Sequence, residues 1–485
     1  MTTAIKFGTS GWRAIIAEDF TFANVRLAVA AIADHVRSRN AKPTLIVGHD
    51  TRFFAEEFSL TAAQILREHG IHVLLCERAA PTPAIAFEIK RRKIDGAINF
   101  TASHNPAEYQ GLKFSGPDGG PALPEVTHDI EARAAKMGER APAKSNDEAF
   151  EKIDPRDAYL ERLGQLINFK AMSDAKLSVV TDALHGCGAG YLDHALMARG
   201  VNVQAMRTDR DVLFDGSGPD VSEENLRTLR EALLAKKAAV GLATDGDADR
   251  FGILDSDGAW IQPNHILALL YDYIVETRGW KMPAGRSVAT SHLIDAVAEH
   301  YGTTIYQTPV GFKYIGELIE QDKIALGGEE SAGLSIRGHL PEKDGILACL
   351  LVAEMVAVRG ASLAGQLRAL FKRVGREYWP LRTNLHLPED VKTETVARLK
   401  TDFKTFLGRH VANLDRTDGL KIAFDDGSWV LLRLSGTEPL MRIYTEASTP
   451  QAAAQLASET SAWVGDVRAS LGAGKIKGAA QGVKG

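Results

Sequence analysis

Apolar residues recur in two alternating rhythms along the first third of the chain. Thr21 to Arg39 spaces them at three- and four-residue intervals, the helical period, whereas Thr44-Leu45-Ile46-Val47 is an unbroken run that stops at Gly48-His49-Asp50-Thr51-Arg52. Glu56 to His69 predicts a second helix, Val73-Leu74-Leu75 a strand, Ala84 to Arg92 a helix opening after Pro83, and Ile94 to Phe100 a further strand. The rhythm returns in Leu177-Ser178-Val179-Val180, a helix after Gly190, Val201-Asn202-Val203, a helix over Ser222 to Lys237, and Ala239 to Ala243, which runs into Thr244-Asp245-Gly246-Asp247. A third round follows a hairpin signal at Ser256-Asp257-Gly258. It includes Ser287-Val288-Ala289-Thr290 and closes with Ile324-Ala325-Leu326 before Gly327-Gly328-Glu329-Glu330-Ser331. Strands alternating with helices imply βαβ units.

After Arg376 the pattern changes. One long helix, Glu389 to Leu407, precedes strands at Leu420 to Ala423, Trp429 to Arg433 and Arg442 to Ala447, with a turn at Asp425-Asp426-Gly427 and a last helix from Pro450 to about Ser470. The expected fold class is therefore α/β: three similar α/β domains with mixed, mainly parallel sheets, plus a smaller C-terminal α+β domain. Boundaries fall at 1–150, 151–255, 256–375 and 376–472, the first in an Ala-, Lys-, Glu- and Pro-rich stretch around Ala134 to Asp154. The Gly-, Ala- and Lys-rich tail at 473–485 is expected to be disordered.

Composition narrows the function without naming it. The chain has 485 residues, 45% apolar and 25% charged, with a net charge of −5. That balance is ordinary for a soluble globular protein and argues against a nucleic-acid partner, which needs a basic face. Cys76, Cys187 and Cys349 are odd in number and lack metal-site spacing, which fits a reducing cytoplasm. Met1 to Trp12 has no apolar core of signal-peptide length. Ile346 to Val358 is too short to cross a bilayer and is interrupted by Glu354, so it reads as a buried helix, and no membrane role is expected.

Four loops carry candidate chemistry. In Asp245-Gly246-Asp247-Ala248-Asp249-Arg250, alternate side chains of an extended segment would converge three carboxylates on one hard cation such as Mg²⁺. A calcium EF-hand loop would need Gly and Glu where Arg250 and Ser256 stand. In Thr101-Ala102-Ser103-His104-Asn105-Pro106, a strand ends abruptly in a hydroxyl-bearing loop, where open α/β sheets place their chemistry. A phosphorylated Ser103 could supply the cation with a phosphoryl oxygen. The chain has neither a Gly-x-Ser-x-Gly elbow nor a Walker A sequence. Gly186-Cys187-Gly188-Ala189-Gly190 misses the dinucleotide fingerprint because Tyr191 follows, and reads as a turn into a helix. Arg433-Leu434-Ser435-Gly436-Thr437, with Arg442 beyond it, has the forks, hydroxyls and glycine of a phosphate cradle. Glu329-Glu330-Ser331 offers acceptors and a donor suited to sugar hydroxyls.

In this order, and with Gly8-Thr9-Ser10-Gly11-Trp12-Arg13 ahead of them, the four loops resemble the α-D-phosphohexomutase family over nearly the whole chain. The resemblance implies four domains around a central cleft and a phosphoserine at Ser103. It implies Mg²⁺ held by Ser103, Asp245, Asp247 and Asp249, and a sugar reader at Glu329 and Ser331. It implies a grip on the non-reacting phosphate through Arg433, Ser435, Gly436, Thr437 and Arg442. Arg13, His104 and Lys113 would line the reacting centre, with Arg250 beside the metal and Lys343 a further candidate for proton transfer. The implied reaction passes the phosphoryl group through a hexose 1,6-bisphosphate, with glucose 1,6-bisphosphate as activator and a hexose phosphate as partner, in a cytoplasmic monomer or homodimer. Thr308-Pro309-Val310-Gly311-Phe312-Lys313 and the Glu-Glu-Ser segment look more like the glucose-directed members, with Lys313 in the substrate site, than the mannose-directed or dual ones. Glucosamine-directed members usually carry Gln in place of Glu330. Two further readings are a phosphosugar sensor without turnover and a Mg²⁺-dependent phosphohydrolase.

Overall fold

The structure is a computed structural model that describes residues 5–8, 10–138, 149–387, 389–434 and 440–481. Three mixed sheets come first along the chain. The first contains β1 (Trp12–Ile15), β2 (Thr44–His49), β3 (His72–Cys76), β4 (Gly96–Phe100), β5 (Tyr109–Ser115) and β6 (Glu151–Ile153), in the order β1-β5-β4-β2-β3-β6. The second contains β7 (Ser178–Asp182), β8 (Asn202–Met206), β9 (Val240–Thr244) and β10 (Phe251–Asp255), ordered β10-β9-β7-β8. The third contains β11 (Ala284–Ser287), β12 (Ile305–Thr308), β13 (Leu326–Glu329) and β14 (Gly333–Ile336), ordered β12-β11-β13-β14.

The three sheets share one four-strand plan. In each, a first strand (β2, β7 or β11) pairs in parallel with the second and third, and the third turns back into an antiparallel fourth. The repeat seen as a rhythm in the sequence is thus a repeat of topology. It puts each chemistry-bearing loop in the same place, between third and fourth strands. There the carboxyl ends of parallel strands leave a crevice. None of the fourth strands was read from the sequence, because each lies just beyond a loop rich in polar residues and glycine.

The fourth sheet is wholly antiparallel. It holds β15 (Trp379–His386), β16 (Thr405–Phe406), β17 (Arg409–Asp415), β18 (Leu420–Phe424), β19 (Trp429–Leu434) and β20 (Leu440–Ala447), ordered β15-β20-β19-β18-β17-β16. The fold is therefore three α/β units with mixed sheets and an antiparallel C-terminal unit.

Several element bounds differ from expectation. The first sheet is completed by β6, just past residue 150, because Ile153 buries against Leu74 and Ile46. The strand expected at Ser287 to Thr290 lies earlier, at β11. Val288 and Ala289 owe their apolar character to a joint with the fourth sheet, where they pack on Trp429, Leu431 and Tyr444. The helix from Glu389 ends at Leu399 rather than Leu407, because Phe403 and Phe406 turn in to stack edge-on against Trp463. The last helix, Pro450–Gln481, continues through most of the segment expected to be a disordered tail.

One continuous apolar core runs through the second and third units, whereas the first and fourth each have their own. Its central element is helix Gly345–Arg359, buried as the sequence predicts. Glu354 is tolerated there because its carboxylate accepts from Tyr273 Oη and the Asn168 N–H, both at 2.8 Å. Among the described residues no single helix is long and apolar enough to cross a membrane.

The fourth unit is fastened to the third by a polar cluster around Trp429. The Lys421 ammonium lies 3.7 Å from the Trp429 ring centroid and donates to Val288 O at 2.8 Å. Glu446 Oε1 accepts from Trp429 Nε1 at 2.8 Å and the His292 N–H at 3.0 Å. Trp429→Ala removes the largest buried side chain of this joint. It should cost the fourth unit about 3–5 kcal/mol, read as a shift of its denaturant-unfolding transition to lower midpoint.

Candidate active site

Ser103 sits at the turn between β4 and β5, fully buried, with φ +53°. A left-handed backbone costs a serine about 1–2 kcal/mol, so neighbouring contacts must hold it. Its N–H donates to Thr101 Oγ1 at 2.8 Å, and its hydroxyl donates to Asp245 Oδ2 at 2.7 Å. That second bond joins the first unit's loop to the second's. His104 Nδ1 lies 3.4 Å from the Ser103 hydroxyl. Burial, and then the charges of Arg250 and Arg13, keep its imidazole well below the usual histidine range and hence neutral.

The three aspartates do converge, though not by the expected route. Residues 245–250 form a tight turn in place of an extended segment, with Ala248 left-handed at φ +56° and its N–H bonded to Asp245 O at 2.9 Å. One carboxylate oxygen from each aspartate lies within 4.8 Å of the other two. Gly246 is required by contact: a Cβ there would stand 2.6 Å from Ser103 O. Gly186-Cys187-Gly188, read from sequence as a helix entry, is the floor of this loop. A Cβ on Gly186 would meet Gly246 O at 2.7 Å, and the Cys187 N–H donates to that oxygen at 3.0 Å.

All three aspartates are fully buried, and cations from two other units answer them. Lys113, on β5, donates to Asp247 Oδ2 at 2.5 Å and Asp249 Oδ2 at 2.8 Å. Lys343, from the third unit, donates to Asp249 Oδ2 at 2.7 Å. Burial alone would lower the Lys113 pKa, but Asp247 and Asp249 reverse that and hold it above the lysine range. Burial would likewise raise Asp249, yet Lys113, Lys343 and Arg250 keep it well below the carboxylate range. Arg250 Nε stands 3.8 Å from Asp249 Oδ1. Arg13, on β1 opposite Gly111, donates to Asn105 Oδ1 at 2.7 Å. Two oxygens remain over: Asp247 Oδ1 and Asp249 Oδ1 are buried and accept no hydrogen bond. Buried carboxylate oxygens without donors are costly unless a cation takes them. The donor set is all hard oxygen, which fits Mg²⁺.

The third loop enters beside this cluster. Glu329 ends β13, buried, and its Oε1 accepts from the Gly311 N–H at 2.7 Å, which ties it to the Thr308–Lys313 segment. Glu330 Oε2 accepts from Ser287 Oγ at 2.9 Å, and the Glu330 N–H donates to Thr290 Oγ1 at 3.2 Å. Ser331 follows, half-buried, at a turn whose next residue, Ala332, is again left-handed at φ +69°. The Lys313 ammonium lies 5.4 Å from the centroid of the Tyr314 ring and within reach of the Glu125 charge in the first unit. Arg433 and Arg442 face each other across β19 and β20, and Arg433 Nε donates to Asp418 Oδ2 at 2.8 Å. Like charges directly opposite on a sheet repel, so the pair suits a face meant for an anion. Ser435, Gly436 and Thr437 lie outside the described residues.

Sequence reasoning missed Thr82 and Arg52. Thr82 heads helix Thr82–Arg92 and donates to Asp247 Oδ2 at 2.6 Å. Arg52 lies under the Ser103 loop. Its signal was an Asp-x-Arg at the carboxyl end of β2, the strand beside β4.

Known proteins can be set beside this geometry. Profiles described as phosphoglucomutase/phosphomannomutase alpha/beta/alpha domains I, II and III match residues 4–141, 157–258 and 262–374, and the C-terminal domain profile matches 383–462. A Thermococcus kodakarensis phosphoglucomutase/phosphomannomutase is 31% identical, over 92% of this chain and 95% of its own. A Methanothermobacter thermautotrophicus probable phosphoglucosamine mutase is 30% identical, over 95% and 98%. The crystal structure of a putative phosphomannomutase from Thermus thermophilus superposes with a TM-score of 0.84 at 33% identity, covering 96% of this chain and all of that one.

Two outcomes follow from the charges. Burial, and then Glu330, push Glu329 up from 4.5 to about 7. The folded chain thus keeps a proton the unfolded chain loses, so the stability it contributes is full below pH 4.5 and lost as pH rises through about 7. Glu329→Gln should flatten that part of the melting-temperature profile. Asp247→Asn should weaken Mn²⁺ or Mg²⁺ binding, measured calorimetrically, by at least about tenfold, the scale of one lost charged ligand.

Proposed function

The chain belongs to the phosphoglucomutase/phosphomannomutase family, and on that premise we infer that it interconverts glucose 1-phosphate and glucose 6-phosphate through a phosphorylated Ser103. The observation that carries the reading is the 2.7 Å bond from the Ser103 hydroxyl to Asp245, beside two aspartate oxygens that have no protein donor. A hydroxyl so placed is suited to hold a phosphoryl group against a cation on Asp245, Asp247 and Asp249. Bound there, Mg²⁺ would neutralise charge developing on the phosphoryl oxygens.

In this reading, a sugar hydroxyl attacks the phosphorus on Ser103, the P–Oγ bond breaks, and a hexose 1,6-bisphosphate forms. The neutral His104 imidazole, 3.4 Å from Oγ, takes the hydroxyl proton and delivers it to the departing Oγ, and the reverse step runs the same transfer backward. Lys113, bound to Asp247 and Asp249, acts as a fixed positive charge, and Lys343 donates to Asp249. Arg13 holds the loop through Asn105, and Arg250 adds charge beside Asp249. Arg433 and Arg442 grip the phosphate that is not reacting, while Glu329, Ser331 and Lys313 meet the sugar. The intermediate turns over, and its other phosphate re-forms phosphoserine. Glucose 1,6-bisphosphate then serves as activator, in a cytoplasmic enzyme.

Preference for glucose rests on the Glu329-Glu330-Ser331 segment. A second reading, mannose or dual specificity, is favoured by the names of the Thermococcus and Thermus proteins. Coupled assays with glucose, mannose and glucosamine 1-phosphates decide between them. Glucose should lead by about tenfold in kcat/KM, the scale one pocket contact supplies, and a mannose or glucosamine rate equal to it would overturn the preference. Ser103→Ala should abolish turnover while hexose phosphate still binds. Steady phosphate release without isomer would mean a hydrolase. No phosphate on Ser103 by intact mass, after incubation with glucose 1,6-bisphosphate, would mean a sensor.

A further inference from the structure

We propose that Arg52 is a positioning residue for Ser103, a fully buried guanidinium that holds the carbonyls of the Ser103 loop in the shape that presents its hydroxyl. The inference rests on the mutase reading only for its effect on turnover; the positioning itself is a matter of geometry.

A guanidinium has five N–H donors, and here each has a partner. Nη2 donates to Ser103 O at 2.7 Å and Asn105 O at 2.5 Å. Nη1 donates to Pro106 O at 2.7 Å and Tyr109 O at 3.1 Å. Nε donates to Asp50 Oδ2 at 3.2 Å. Three carbonyls of the loop between β4 and β5, and that of Tyr109 at the start of β5, are thus turned onto one side chain with no exposure to water. Ser103 O is the buried one of the four, and a buried carbonyl must be paired, so without Arg52 it has to rotate toward water, whereas Pro106 O keeps the Tyr109 N–H at 3.1 Å. The rotation would start at Ser103 itself, whose left-handed backbone nothing in its own side chain favours.

A second contact reaches the same serine from its other side. Asp50 shares a hydrogen bond with the Thr101 side chain, and Thr101 Oγ1 accepts from the Ser103 N–H. The Asp50–Arg52 pair therefore grips both the N–H and the C=O of Ser103, leaving the hydroxyl to Asp245. The second unit closes over this clamp. The Phe214 ring centroid lies 5.0 Å from the Arg52 guanidinium carbon, and Arg210 donates to Thr51 O and Arg52 O at 2.9 and 3.1 Å. Arg52 reaches the reacting hydroxyl only through the backbone, which is why it positions and does not react.

Arg52→Lys keeps the charge beside Asp50 but has three donors on one atom and no planar fork, so it cannot serve four carbonyls. Two measurements on this variant separate positioning from general stability. By hydrogen exchange, amides of segment 101–109 should open at least about tenfold faster, while amides of the core strands and the melting temperature stay near wild type. In the mutase assay, kcat should fall about 10²-fold with KM for the hexose phosphate within about twofold, because binding residues are untouched and only alignment is lost. Unchanged exchange in 101–109 overturns the positioning claim whatever the activity. Loss of kcat in proportion to a lost folded fraction overturns it too, since that is a plain structural role. If the wild-type chain turns over no hexose phosphate, the mutase reading fails and the exchange result still decides the clamp. Should Arg52→Lys not fold, Arg52→Gln, whose shorter side chain ends in two N–H donors, takes its place, and unchanged exchange in 101–109 overturns the proposal there too.

Discussion

Three carboxylates buried within 4.8 Å of one another are the constraint on which the rest of this molecule turns. At an effective dielectric of ~20, each pair of unit charges at that separation repels by about 3 kcal/mol. Within the 245–250 turn Arg250 offsets part of this, through its charge 3.8 Å from Asp249 and its N–H on Asp245 at 3.0 Å. The chain answers by drawing cations from elsewhere: Lys113 from the first unit and Lys343 from the third, both onto Asp249. The aspartate loop is thereby the knot that ties three sheets together. Even so, Asp247 Oδ1 and Asp249 Oδ1 remain without donors. The arrangement is stable enough to fold around and still unsatisfied enough to take a metal.

The repeat explains how a single point can gather so much. Each α/β unit delivers its loop between its third and fourth strands, and each loop bends on one left-handed residue, Ser103, Ala248 or Ala332. The fourth unit breaks the plan, being antiparallel, and contributes a cationic sheet face in place of a crevice. Its attachment through Trp429, Lys421 and Glu446 to the third unit is a separate joint with its own chemistry.

Much of this was legible in the chain. Strands buried on both faces of a parallel sheet read as unbroken apolar runs, so β2, β4, β7 and β9 could be located to within about two residues. The order of the reactive loops and the identity of the aspartates could be read too. What could not be read was geometry made by backbone. The aspartates converge through the turn at Ala248, not by strand alternation, and nothing in the residue names distinguishes the two. Arg52 was hidden for a related reason: its partners are four carbonyls, which every residue has. Val288 and Ala289 were misread as a strand because apolar residues at a joint between units look the same as those in a sheet.

The central claim is that a metal on the aspartate loop and a phosphoryl group on Ser103 share one site. With Mn²⁺ in place of Mg²⁺, electron–nuclear double resonance on the Ser103-phosphorylated protein measures it directly. The account predicts a ³¹P hyperfine coupling of the size of an inner-sphere phosphate, absent before phosphorylation and absent in Ser103→Ala. Bound Mn²⁺ with no ³¹P coupling in fully phosphorylated protein would contradict it.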